Sequence, residues 1–129
     1  MEDKKLLDEA LKAREFAYAK YSDFKVGAAL LTKSKKVFHG CNVENISYGG
    51  TICAERVAVV KAISEGERNF LKIAIIADLD FPIRPCGICL QFLSQFCDDL
   101  IVIMGNLKNQ IEKKTLKELL PFKFSFKDL

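Results

Sequence analysis

Two short apolar runs do most to limit the folds open to this chain. "LKIAIIAD" (71–78) and "LIVIMG" (100–105) are nearly unbroken successions of Leu, Ile, Val, Ala and Met. Strands that read this way, without polar alternation, are covered on both faces. Between them lie a loop, "LDFPIRP", and one helical stretch over about 87–97. Strand, helix and strand in that order predict parallel pairing with the helix packed on the sheet.

The rest of the chain extends this pattern. Leu6, Ala10, Ala13 and Ala17 make a helical stripe that Leu7 and Leu11 widen, so a helix is expected over about 3–19, ended by "YSDF". "KVGAALLT" (25–32) and "KVFHGCNV" (36–43) read as two strands of a hairpin around a lysine-rich turn. "ENISYGGT" is a loop whose paired glycines allow unusual backbone angles. A second helix is expected over about 53–65, ending near Gly66. "NQIEK" offers a fifth strand, and Thr115 with Glu118 has the capping-box spacing that opens a short helix to Leu120. The order is α/β, with helices on the sheet faces.

Composition narrows the class. A chain of 129 residues, half of them hydrophobic and 29% charged, reads as one globular domain over 1–129. No apolar run reaches the roughly 18 residues of a membrane span. The charged N-terminal stretch has no secretory pattern, so a cytoplasmic location is expected. The net charge of +3 is scattered, and its densest cluster, Lys33, Lys35 and Lys36, falls in the hairpin turn. A nucleic-acid binder concentrates its charge on one face. Five cysteines in a cytosolic chain argue for metal binding or catalysis before disulfides.

The chemistry sits at two helix openings. Cys53 and Glu55 stand two apart in "TICAERVAVVKA", and Cys86 and Cys89 stand three apart in "PCGICLQ". If these helix starts meet, three thiolates reach one ion. Sulfur ligands and a tetrahedral preference select zinc. Three protein ligands leave a position where water can bind and lose a proton near neutral pH. Helix N-termini favour the thiolate form. Three thiolates on Zn²⁺ leave about one net negative charge. Arg56 is placed to offset it by donating to the sulfurs, unless it is simply a surface arginine. Glu55 is placed to move protons beside the open position. Alone, it would read as an ordinary first-turn acid.

The order C-x-E then P-C-x-x-C resembles the zinc nucleobase deaminases, in which the first ligand is His or a third Cys. Over nearly its whole length the chain resembles the small, homotetrameric, zinc-dependent cytidine deaminases of nucleoside salvage. "AYAKYSDFKVGAALLT", "GCNVENISYGGTICAERVAVVKAISEG", "PCGICLQFLSQF" and "TLKELLPFKFSFKDL" carry the likeness. It implies a three-layer α/β/α fold around a mixed five-stranded sheet, and subunits that share active sites. It implies that Asn42 and Glu44 hydrogen-bond the ribose hydroxyls and that Phe24 packs near base and sugar. The Ala54 N–H and Glu55 would read the pyrimidine edge, and Phe124 would reach a neighbouring subunit's site. On their own, Phe24 and Phe124 read equally well as core residues, and Asn42 and Glu44 as turn residues.

One position departs from that pattern. The family often has a basic residue directly after the last cysteine, where this chain has Leu90. Charge compensation would then rest on Arg56 and the helix dipoles; the alternative reading of Leu90 is packing in an interface. Cys41 and Cys97 read as small hydrophobes, and His39 as structural or exposed. The resemblance implies hydrolytic deamination of cytidine and deoxycytidine to uridine and deoxyuridine, with ammonia released and Glu55 shuttling protons. Rival readings are a related zinc aminohydrolase for another small substrate, a nucleic-acid deaminase, and a non-catalytic zinc module. Phe24, Asn42 and Glu44 favour a free nucleoside. The missing basic stripe disfavours nucleic acid, and the missing fourth ligand disfavours a structural metal.

Overall fold

The two apolar runs become the central parallel pair of a five-stranded sheet. A computed structural model describes residues 1–126. Its elements are α1 (Asp3–Arg14), β1 (Val26–Thr32), β2 (Val37–Cys41), α2 (Ala54–Ser64), β3 (Phe70–Ala77), α3 (Gly87–Ser94), β4 (Ile101–Asn106), β5 (Ile111–Thr115) and α4 (Leu116–Leu119). The strand order is β2-β1-β3-β4-β5. Only β3 and β4 pair in parallel, from Lys72 opposite Ile101 to Ala77 opposite Asn106. The expected hairpin forms β1 and β2, β1 lies antiparallel to β3, and β5 folds back on β4. Parallel pairing therefore holds for one neighbour pair, and the sheet is mixed.

The pleat of β1 divides the core in two. Ala29 and Leu31 pack with Leu6, Leu7 and Ala10 of α1 on one face. Val26, Ala28 and Leu30 pack with Ala54, Ala58, Val59 and Ala62 of α2 and Leu93 of α3 on the other. The result is three layers, with every β1 residue buried. Each fully buried Leu or Ile in such a core contributes roughly 1.5–3 kcal/mol.

Two glycines set how closely the layers approach. A Cβ on Gly27 would lie 2.0 Å from the Ala10 carbonyl oxygen, and one on Gly40 would lie 2.2 Å from that of Ala54. The backbone of α1 thus rests on β1, and the first turn of α2 rests on β2.

Some boundaries differ from expectation. Helix α1 stops at Arg14 and not near 19. Tyr18 leaves the helix to pair with the chain beyond β2, donating its N–H to the Asn42 carbonyl and accepting from the Glu44 N–H, both at 2.9 Å. Helix α3 ends at Ser94 and not near 97, because the N–H groups of Phe96 and Cys97 both turn back to the Leu93 carbonyl. The fifth strand lies two residues later than "NQIEK". The Thr115–Glu118 capping box is present. The last three residues of the segment read as the C-terminal family stretch lie outside the described residues.

Candidate active site

The site forms where α2 and α3 begin. Val43 and Ile52 exchange N–H···O bonds of 2.9 Å, closing the intervening loop at its base. This delivers Cys53 in extended conformation as the N-cap of α2, held down on β2 through the close approach at Gly40. Pro85 is buried, and Cys86 follows as the N-cap of α3, its Sγ accepting the Cys89 N–H at 3.5 Å. The two openings meet. Cys86 Sγ lies 3.9 Å from Cys53 Sγ and 3.4 Å from Cys89 Sγ. All three sulfurs fall within 4.8 Å of one another, the one such metal-binding group among the described residues.

The spacing suits zinc. Four ligands about 2.3 Å from a tetrahedral centre stand about 3.8 Å apart, close to the separations of the sulfur pairs. The donor set is soft, and the group contains no fourth protein ligand. Cys53, Cys86 and Cys89 would hold the ion and leave one position open.

Electrostatics set Cys53 apart from Cys89. The neighbouring Cys89 thiol, with help from Arg56 and Cys86, holds Cys53 well below the usual thiol range. Cys89 is pushed up, first by sharing its proton with Cys53 and then by burial. Metal binding must therefore displace a proton from Cys89. The Arg56 Nη2 donates to Cys53 Sγ at 3.5 Å and to the Thr51 carbonyl at 3.4 Å. Its buried Nε–H has no partner among the described residues. Leu90 is half-buried against the α2–α3 core, so it packs where the resemblance often shows a cation.

Glu55 is buried, with 5% of its surface exposed. Burial lifts its carboxyl to about 7, and the Cys53 charge adds to the rise. Its own backbone N–H, the Cys89 thiol and Arg56 oppose the shift. A group poised near neutral pH can both accept and return a proton.

The other expected residues fall in two places. Ala54, fully buried, opens α2 between Cys53 and Glu55. Asn42 is also buried. Its Oδ1 accepts the Val26 N–H at 2.9 Å and its Nδ2 donates to the Phe24 carbonyl at 2.8 Å. The Glu44 Oε1 accepts the N–H groups of Tyr21 and Ser22 at 2.9 and 3.0 Å, and Oε2 accepts the Ser22 hydroxyl. These contacts hold its carboxyl below the usual value, the Ser22 hydroxyl foremost. Phe24 is 36% exposed. Phe124 stands exposed on the C-terminal stretch, its ring edge-on to Phe126 and its carbonyl accepting from Gln91 at 2.9 Å. His39 pairs with Glu9 at 2.9 Å, joining β2 to α1, and Cys97 donates to the Phe70 carbonyl at 3.3 Å. Neither belongs to the three-sulfur group, and Cys97 packs against the α2–α3 core.

Sequence reasoning missed a cleft of about 320 Å³ lined by Tyr21, Ser22, Glu44, Asn45, Tyr48 and Thr51. The signal was present in "YSDF". Ser followed by Asp marks a turn able to adopt left-handed angles, and Asp23 has φ of 56°.

Residues 1–105 match the family described as the cytidine and deoxycytidylate deaminase zinc-binding region. The chain belongs to this family. The matched stretch of the deaminase domain contains all three cysteines and Glu55, so zinc is the metal the thiol cluster serves. Among related deaminases, cytidine deaminase of Sporosarcina psychrophila is 48% identical, covering 100% of this chain and 96% of its own. Cytidine deaminase of Halalkalibacterium halodurans is also 48% identical, covering 100% and 98%. The crystal structure of cytidine deaminase from Burkholderia pseudomallei superposes with a TM-score of 0.94 at 45% identity, covering 96% of this deaminase and 100% of that chain. The three-layer fold and mixed sheet are those of this family. No helix among the described residues is long and apolar enough to cross a membrane.

Proposed function

We infer that this protein hydrolyses cytidine and deoxycytidine to uridine and deoxyuridine, releasing ammonia. The observation that carries the reading is a three-thiol metal site with no fourth protein ligand among the described residues, with a buried carboxyl, Glu55, beside Cys53 and Cys89. Full-length relatives named cytidine deaminase support the substrate.

Zinc, when bound, supplies the Lewis acidity that makes water a usable nucleophile near neutral pH. The protein's residues do the rest. Glu55 accepts a proton from the attacking water as its oxygen joins C4, and delivers that proton to ring N3. It then carries the second proton to the amine, which departs as ammonia while the C4 carbonyl forms. A carboxyl held near 7 suits both directions of transfer. Arg56 offsets thiolate charge at Cys53. The Ala54 N–H and Glu55 read the pyrimidine edge, Asn42 and Glu44 bind the sugar hydroxyls, and Phe24 packs against base and sugar.

The working form is a homotetramer in which Phe124 of each subunit completes a neighbour's site. Exposed aromatic residues support this, with Phe122, Phe124 and Phe126 at 93, 62 and 81%. The substrate is a free nucleoside, and neither nucleic acid nor membrane is a partner. Five free thiols suit a cytoplasmic setting and a role in pyrimidine salvage.

The deciding experiment is uridine formation from cytidine by the purified zinc-loaded protein, with Glu55→Ala alongside. Conversion by the wild type alone is expected. No conversion with zinc bound would move the reading to another substrate or a structural metal.

A further inference from the structure

Ser22 lies outside the thiol cluster and the sequence pattern gives it no role, yet it joins two residues of the sugar-binding side. Its hydroxyl donates to Glu44 Oε2, and its own backbone N–H donates to Glu44 Oε1 at 3.0 Å. The same hydroxyl oxygen accepts the Phe24 N–H at 3.0 Å. Tyr21 supplies a further N–H to Oε1 at 2.9 Å. The carboxylate is therefore seated in the turn that carries Phe24. Asp23, between the two, takes φ of 56° and anchors its N–H on the Ala19 carbonyl at 2.9 Å.

An ionised carboxylate has about four lone-pair positions. Two N–H donors and one hydroxyl occupy three of them, all from residues 21 and 22. One position on Oε2 is left for a ligand, and Glu44 itself lines the cleft together with Ser22, Tyr48 and Thr51. Without the hydroxyl, Oε2 would have no fixed direction in the turn, and Phe24 would lose the acceptor for its N–H.

We propose that Ser22 is a positioning residue for nucleoside binding, orienting the Glu44 carboxylate toward a sugar hydroxyl and holding Phe24 beside it. The proposal rests on the reading of this protein as a cytidine deaminase in which Glu44 contacts the sugar. Ser22 touches no reacting atom, so its loss acts on substrate binding and leaves the proton transfers of Glu55 in place.

The test is a double-mutant cycle on cytidine with the zinc-loaded enzyme, using Ser22→Ala, Glu44→Gln and the pair, with Ser22→Thr as the conservative variant. Ser22→Ala should raise KM about tenfold, as expected for losing one hydrogen bond to a charged group, and leave kcat within about twofold. Ser22→Thr, which keeps the hydroxyl, should restore most of the loss. The Ser22→Ala loss should shrink in the Glu44→Gln background, because residues that share a contact are not additive, and the lost acceptor for the Phe24 N–H accounts for what remains. An unchanged KM, a fall confined to kcat, failure of threonine to rescue, or additive losses would each overturn the proposal. Inactive wild type would instead overturn the deaminase reading, so the two failures are distinguishable. Zinc content and thermal unfolding of each variant separate misfolding from misplacement, and if Ser22→Ala does not fold, Ser22→Cys, whose thiol is a weak donor and acceptor, takes its place in the cycle with the same expected rise in KM.

Discussion

Glu55 and Arg56 are adjacent in sequence, and the proposed mechanism gives them opposite tasks that substitution should separate. Glu55→Gln keeps the shape of the side chain and removes its proton. Since Glu55 is not among the three metal-binding groups, this variant should retain full zinc while turnover falls about 10²–10⁴-fold, the usual scale for losing a general acid–base. Metal analysis beside steady-state kinetics checks both halves, and near-normal turnover would remove Glu55 from the proton path. Arg56→Ala should do the reverse. Its guanidinium is the cation that contacts Cys53, and Leu90 offers none. The variant should lose zinc during dialysis against a mild chelator that leaves wild type loaded, with activity falling in step. Full zinc occupancy and near-normal turnover in Arg56→Ala would sink the charge-compensation argument.

At the level of elements, the two close-approach glycines make a matched pair of tests. A methyl group at either position must push helix backbone away from the sheet, and overpacking of this kind costs about 1–3 kcal/mol or more. Gly40→Ala and Gly27→Ala should both lower the unfolding temperature. Only Gly40 lies under the first turn of α2, next to Cys53. Gly40→Ala should therefore weaken zinc affinity as well, whereas Gly27→Ala, under α1, should bind zinc as wild type does. Competition against a zinc-binding dye reads the difference. Equal affinities would mean that the α2 approach does not set the thiol geometry. A second element-level prediction concerns pH. Asp3 ties α1 to β3 and β5 through Lys72 at 2.9 Å and Lys113 at 3.0 Å. Hydrogen bonding to Lys72, then to Lys113, holds its pKa below the ordinary 3.8. A depressed pKa gives stability that is present above the ordinary value and lost as pH falls through the lowered one. The pair is partly exposed, so Asp3→Asn should cost about 0.5 kcal/mol at pH 7. Urea unfolding should show that gap closing below pH 3.8, and a gap that widens there would refute the assignment. The elements also show what the sequence could say. The apolar runs of β3 and β4, the β1–β2 hairpin and the thiols at two helix starts were legible, because burial and ligand spacing act locally. The end of α1 was not, since Ala17 fits the helical stripe while Tyr18 is taken by a bridge to the chain beyond β2. The hairpin and the strand–helix–strand unit implied one antiparallel and one parallel pair, but how β1 and β5 join that pair was not legible, because periodicity reports burial and not strand direction. The Ser22–Glu44 seat was also hidden, because its partners stand 22 residues apart.

The whole molecule raises a question that one chain cannot answer alone. Phe16, Ile46, Tyr48, Phe122 and Phe126 are each at least 79% exposed, and Phe124 is 62% exposed. A subunit that worked alone would gain nothing from so many aromatic and aliphatic side chains in water. If copies of the chain cover them, and if Phe124 completes a neighbour's site, then Glu55 and Phe124 of one site come from different subunits. Phe124→Ala should raise KM by weakening the apolar cover of the nucleoside, and Glu55→Gln should abolish turnover. Their mixture should do better than either. In a co-expressed hybrid, some sites draw Glu55 from the Phe124→Ala subunit and Phe124 from the Glu55→Gln subunit, and those sites carry neither defect. Activity at low cytidine should then exceed that expected from the separate homo-oligomers in the same proportions. Light scattering on the same samples should give four times the chain's mass. A monomer in solution, or a hybrid no more active than its parts, would show that each chain builds its site from its own residues and that the exposed aromatics serve another contact.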